Sequence, residues 1–176
     1  QPKLQLRPGQ IERHTHDYKR HGTTSLYAAF NILTGEVIGR VTQRHRAKEF
    51  LDFLRQIDRE SPKDLDLHVI LDNSSTHKTP EVKTWLAKHP RFKLHFTPTS
   101  ASWLNAVEGW FGQLERRALY RGIFTSVAEL KSAIKKYIKI HNEKLAKPFR
   151  WHKSAEAIMT SVARAKLSAI DNKRAN

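Results

Sequence analysis

Apolar residues recur along this chain with two periods. Residues 25–33 (SLYAAFNIL) and 36–42 (EVIGRVT) are short apolar, partly β-branched runs around Thr34 and Gly35, which predicts a β-hairpin. Ala47, Phe50, Leu51, Leu54 and Ile57 then recur at helical spacing and predict an amphipathic helix to Glu60, stopped by Ser61 and Pro62. Val69, Ile70 and Leu71 centre a buried strand over 65–72 that ends at Asp72 and Asn73. Thr79, Pro80 and Glu81 supply a capping hydroxyl, a first-turn proline and an acid at the positive dipole end, so a helix is expected to about Lys88. His89 and Pro90 close it, and 92–96 (FKLHF) forms a short strand before Thr97 and Pro98. From about Ser102, a longer helix carries Trp103, Leu104, Val107, Trp110, Phe111 and Leu114 on one face. Ser126 and Glu129 have capping-box spacing and open a further helix through Val127, Leu130, Ile134, Ile138 and His141.

The order hairpin, helix, strand, helix, strand, helix, helix predicts a mixed α/β fold with helices packed on a sheet, in one domain over 1–176. Residues 1–22, broken by Pro2, Pro8 and Gly9, read as an irregular connection. Residues 145–176 read as a tail with one more helix after Ser154. Gly109 and Gly112, unfavourable in mid-helix, are expected to let their helix approach the sheet closely.

Charge narrows the function. Lys and Arg number 32 against 17 Asp and Glu, a formal net charge of +15. Such a surplus repels itself in a compact fold, so a polyanionic partner, DNA first, is expected. A membrane partner is not: the longest strictly apolar stretch, 26–30, is far too short to span, and no basic amphipathic segment stands out. Cysteine is absent, which excludes disulfides, thiolate zinc sites and a cysteine nucleophile. The only methionine is Met159, so the chain is expected to continue upstream of Gln1.

Asp72 should project from the carboxyl end of a buried strand, where clefts of open α/β sheets form. Glu108 lies at the margin of its helix's apolar stripe, on the same side as Glu115. Carboxylates so placed can hold hard divalent cations for phosphodiester chemistry. The residues alone leave the plainer reading open: a turn-capping aspartate and a solvated helix acid.

Asp72, Asn73 and His77 in the segment DNSSTH, and Asn105 and Glu108 in PTSASWLNAVE, resemble the second and third acidic motifs of DDE transposases. The nearest resemblance is to the bacterial insertion sequence 630 family, allied to the mariner transposons; it extends over about 13–157 and includes PFRW at 148–151. It implies a ribonuclease H-like fold, a mixed sheet flanked by helices. It also implies two magnesium or manganese ions, with Asp72 and Glu108 as metal ligands and catalytic residues. The reaction implied is cleavage and joining of DNA at transposon ends and target, by a homodimer in a synaptic complex, in the bacterial cytoplasm. Asn73, His77 and Asn105 match the motifs and are expected to shape the metal pocket or touch phosphate, with a polar turn as the competing view. Asn105 would orient Glu108.

The family pattern also requires a first aspartate on an opening strand before the hairpin. Asp17 lies in a polar stretch, HTHDY, without strand character, so the first strand and its acid are expected upstream of Gln1, and this fragment is expected to be inactive alone. His14 and His16 read as an exposed basic strand rather than metal ligands. Trp103, Trp110 and Phe111 read as core before base-stacking residues. Lys135, Lys136 and Lys139 form a basic flank expected to follow DNA phosphates, a solvated face being the alternative. Two rival functions remain: another ribonuclease H-like nuclease, and a non-catalytic basic DNA-binding or assembly module.

Overall fold

Alternation along the hairpin decides the layering. In the computed structural model, which describes residues 22–97, 105–120, 122–151, 154, 156–161 and 163–164, strand β1 (Ser25–Phe30) pairs antiparallel with β2 (Val37–Thr42). Tyr27, Ala29 and Ile38 point to one face; Leu26, Ala28, Phe30 and Val37 point to the other. Both faces are apolar, and each is covered by a helical layer.

Helix α1 (Ala47–Glu60) covers the first face with Phe50, Leu51, Phe53, Leu54 and Ile57, the predicted stripe with Phe53 added and Ala47 only half-buried. Strand β3 (Leu67–Leu71), helix α2 (Pro80–Ala87) and strand β4 (Phe92–Phe96) complete this layer. Leu71, Val82, Trp85 and Phe92 join α1 and Tyr27 in one core, and each fully buried large side chain contributes about 1.5–3 kcal/mol. Strands β3 and β4 run parallel, as a strand–helix–strand crossover requires. Their opposite face, with His68, Ile70, Lys93 and His95, is exposed.

The hairpin's second face packs on helix α3 (Ala106–Leu114), which continues as a wider turn over Glu115–Leu119, and on α4 (Val127–Ile140), similarly continued over His141–Leu145. Val37, Trp110, Leu114 and Tyr137 form this second core. Among the described residues the four strands make two separate pairs, β1–β2 and β3–β4. No helix among them is long and apolar enough to cross a membrane.

Local sequence accounts for the boundaries. Asn31 Oδ1 accepts from the backbone N–H of Leu33 and of Thr34, and Gly35 takes φ +79°, so the hairpin turn spans more than the expected Thr34 and Gly35. Ser126 caps α4 by accepting from Glu129 N, while the Glu129 carboxylate reaches Thr125 N and Oγ1 rather than Ser126 N, a capping box shifted by one residue. Thr79 holds the N-cap position of α2 without a side-chain cap bond.

Three expectations need correction. The strand expected over 65–72 is confined to 67–71, because Leu65 is exposed and Asp72 turns away. The described part of the helix expected from Ser102 starts at Ala106; Trp103 and Leu104 lie outside the described residues. Gly109 and Gly112 do not mark a close approach to the sheet: a Cβ at Gly109 would meet nothing within 4 Å, and one at Gly112 would meet only Arg116 of the same helical run. The tight approach is at Gly39 in β2, where a Cβ would lie 2.4 Å from Ile138 Cδ1. A larger residue there would have to displace the end of the Ile138 side chain. Residues 156–161 and 163–164 are helical, within the tail expected to hold a helix.

Two contacts lock α4 to the hairpin. Asn142 Oδ1 accepts from Val37 N and its Nδ2 donates to Val37 O, both at 2.9 Å, so one amide satisfies both backbone groups on the outer edge of β2. Buried His141 meets Gly35 O through Nε2 at 2.9 Å.

Candidate active site

The segment after β3 turns back on itself by hydrogen bonds that its own polar residues supply. Asp72 Oδ1 accepts from Ser74 N at 3.2 Å. Ser74 then caps a single tight helical turn, Ser75–His77, by accepting from Thr76 N, and its hydroxyl meets Thr76 Oγ1 at 2.9 Å. That turn carries His77 back toward the strand end, where its Nε2 lies 3.1 Å from the same Asp72 Oδ1. Two donors thus converge on one carboxylate oxygen, and no described group bonds the other.

His77 belongs to the interior. It is only 9% exposed, and its ring lies 4.2 Å from the Phe50 ring, centroid to centroid. Burial pushes its pKa below the ordinary histidine value, with Asp72 pulling it back up. Neutral imidazole has one N–H, and the carboxylate claims it at Nε2, which leaves Nδ1 buried without a partner. Asp72, by contrast, is 63% exposed at its side chain. The arrangement is a buried, sterically held donor aiming an exposed carboxylate.

Asn73, the next motif residue, faces solvent and accepts from Lys78 Nζ through Oδ1. The Lys78 ammonium also lies over the Phe96 ring, 4.8 Å from its centroid. Lys78 directly follows the DNSSTH segment, but one lysine among many basic residues carries no periodic signal in the sequence.

Glu108 stands in the first turn of α3, exposed, with its backbone N–H bonded to Asn105 O at 3.0 Å. Asn105 is the N-cap residue, makes no side-chain cap bond, and its backbone oxygen accepts the first bond of the helix from Glu108 N. Among the described residues no three His, Asp or Glu side chains come together as a metal-binding group. His14, His16 and Asp17 lie outside the described residues. Trp110 is 1% exposed in the second core, so it is core rather than a base-stacking surface; Phe111 is half-buried beside it. Lys135, Lys136 and Lys139 share the exposed side of α4, and Lys139 Nζ stands 3.8 Å from Glu143.

Comparison with known proteins bears on the family of the chain. A curated Shigella sonnei protein, named Insertion element IS630 uncharacterized 39 kDa protein, is 26% identical over 108 residues, covering 61% of this chain and 29% of the relative. The chain thus spans less than a third of that relative's length. Residues 1–131, about three quarters of the chain, match the sequence profile of the DDE superfamily endonucleases, and the chain belongs to that family.

Proposed function

We propose that this chain is the catalytic core of a transposase that cleaves DNA at transposon ends and joins it to target DNA. The observation that carries the reading is Asp72: an exposed carboxylate at the carboxyl end of a parallel strand, aimed by the buried donor His77, in a member of an endonuclease family. Carboxylates at such strand ends face the clefts of α/β sheets. Glu108 is its partner in the proposal.

The donor set fits magnesium or manganese in kind. Asp72 offers an oxygen with no described bond, and Glu108 an exposed carboxylate; both are hard oxygen ligands. It falls short in number, since a two-ion site in this pattern uses three acids. We assign the third to a strand that would lie between β1 and β3, each paired on one edge only among the described residues, giving the ribonuclease H-like sheet. Two ions there would activate the attacking oxygen and stabilise the leaving one. The chain's own groups do the rest: His77 and Ser74 N fix the Asp72 carboxylate, and Asn105 O holds the first turn that carries Glu108. Lys135, Lys136 and Lys139 follow DNA phosphates. The working form in this reading is a cytoplasmic homodimer bridging two transposon ends.

The test is metal-dependent nicking of transposon-end DNA by this chain and by a form extended upstream through a strand bearing an aspartate. Activity is expected in the extended form only, and is lost there with Asp72→Ala or Glu108→Ala. Efficient nicking of an RNA–DNA hybrid or a four-way junction instead would transfer the protein to another nuclease class. A fully metal-independent, DNA-binding-only extended form would make it an assembly module.

A further inference from the structure

Lys78 is held by two groups that orient a cation without neutralising it. Its ammonium donates to the neutral amide oxygen of Asn73 and lies 4.8 Å from the centroid of the Phe96 ring. A ring face attracts a cation through its quadrupole but carries no net charge. Among the described residues Lys78 forms no ion pair, although others do: Lys63 with Asp58, Arg46 with Glu49, Arg91 with Asp58. An ammonium has three N–H donors, and the described contacts use one. Asn73 directly follows Asp72 and Phe96 ends β4, so this oriented charge stands at the strand ends that carry Asp72.

An oriented, uncompensated cation beside a carboxylate suits an anion that arrives from outside. We propose that Lys78 is a phosphate-binding residue that holds the DNA backbone next to Asp72. The proposal deepens the transposase reading and rests on it for the identity of the anion. Asn73 is then a positioning residue, and its neutrality is essential: a carboxylate at position 73 would satisfy the ammonium and compete with phosphate.

The experiment measures binding of a random-sequence DNA duplex to the protein across a salt series, for wild type, Lys78→Met, Lys78→Arg and Lys63→Met. Methionine keeps an apolar stem against Phe96, and Lys78 is exposed, so folding is expected to be unchanged; Lys78→Gln gives a second neutral variant. Losing one phosphate contact should lower the log–log salt slope by about 0.9, so the deficit of Lys78→Met shrinks about threefold for each fourfold rise in salt. Lys78→Arg should keep the slope, and Lys63→Met, a lysine already paired, should leave it unchanged. Asn73→Asp should weaken binding in the wild type but have much less effect in Lys78→Met. An unchanged slope in both neutral variants overturns the inference. Metal-dependent nicking by the upstream-extended protein is scored in parallel. Slope loss without any nicking would sink the transposase reading and leave the phosphate contact standing; nicking with an unchanged slope would sink the contact alone.

Discussion

Replacing His77 with leucine separates a residue that aims a catalytic group from one that holds the fold. Leucine fills a similar volume beneath Phe50 and cannot donate to Asp72. The lost N–H bond ends on a largely exposed carboxylate, so it is worth about 0.5–1.5 kcal/mol, and the lost ring contact with Phe50 is of similar size. Against that, the buried, unpartnered Nδ1 disappears, and relieving such an atom returns about 1–3 kcal/mol. The terms nearly cancel. The melting temperature should move by less than about 4 °C, since 1 kcal/mol corresponds to roughly 2–4 °C in a domain of this size. In the proposed role of Asp72 as a metal ligand, function should not be spared, because removing the group that orients such a carboxylate typically costs 10–100-fold, about 1.4–2.7 kcal/mol. The assays are thermal unfolding and a magnesium titration of nicking by the upstream-extended protein. The magnesium midpoint should rise by about 10–100-fold with the melting temperature held. His77→Gln, whose amide can still donate to Asp72, should recover part of the loss. A melting temperature lowered by well over 10 °C with an unshifted magnesium midpoint would show that His77 serves only the core, and the reasoning would be refuted.

Asn142→Leu should destabilise by about 2–4 kcal/mol, or roughly 5–15 °C, because it strips both partners from the backbone of Val37, which is 2% exposed; an unchanged melt would mean water replaces the amide. Replacing Lys135, Lys136 and Lys139 together with glutamine should lower the salt slope of DNA binding by about 2.7 if all three meet phosphates, and an unchanged slope would assign that flank to solvent. Asp58 should contribute an acid-sensitive stability. Hydrogen bonding from Lys63, with the Lys63 and Arg91 charges, holds its folded pKa below the unfolded value, so the contribution is present above about pH 4 and is lost as pH falls further. Lys63→Met, which removes the leading cause, should flatten that acid limb of a pH–melting curve, and an unaltered limb would place the sensitivity elsewhere.

Periodicity alone located the elements. The spacing of Phe50, Leu51, Leu54 and Ile57 marked the buried face of α1, and the runs around Gly35 marked a hairpin, because helix and strand periods are local properties of the backbone. The motif residues were also legible as a pattern: Asp72 does follow a strand, and Glu108 does lie in a helix, though in its first turn and not further along as expected. What the sequence could not decide was which partners each polar group would meet. The glycines of α3 drew attention by their rarity in helices, yet the close approach fell on Gly39, since crowding depends on where α4 crosses β2. Asn105 takes the N-cap position of α3 without a side-chain cap bond, which its place in the motif did not indicate. His77 and Lys78 are sequence neighbours with opposite fates, one buried against Phe50 and aimed at Asp72, the other exposed over Phe96 and bonded to Asn73. A tight turn of three residues separates inward from outward by a single position. Only the packing of α1 and β4 around that turn determines which of the two becomes the buried donor and which the free charge.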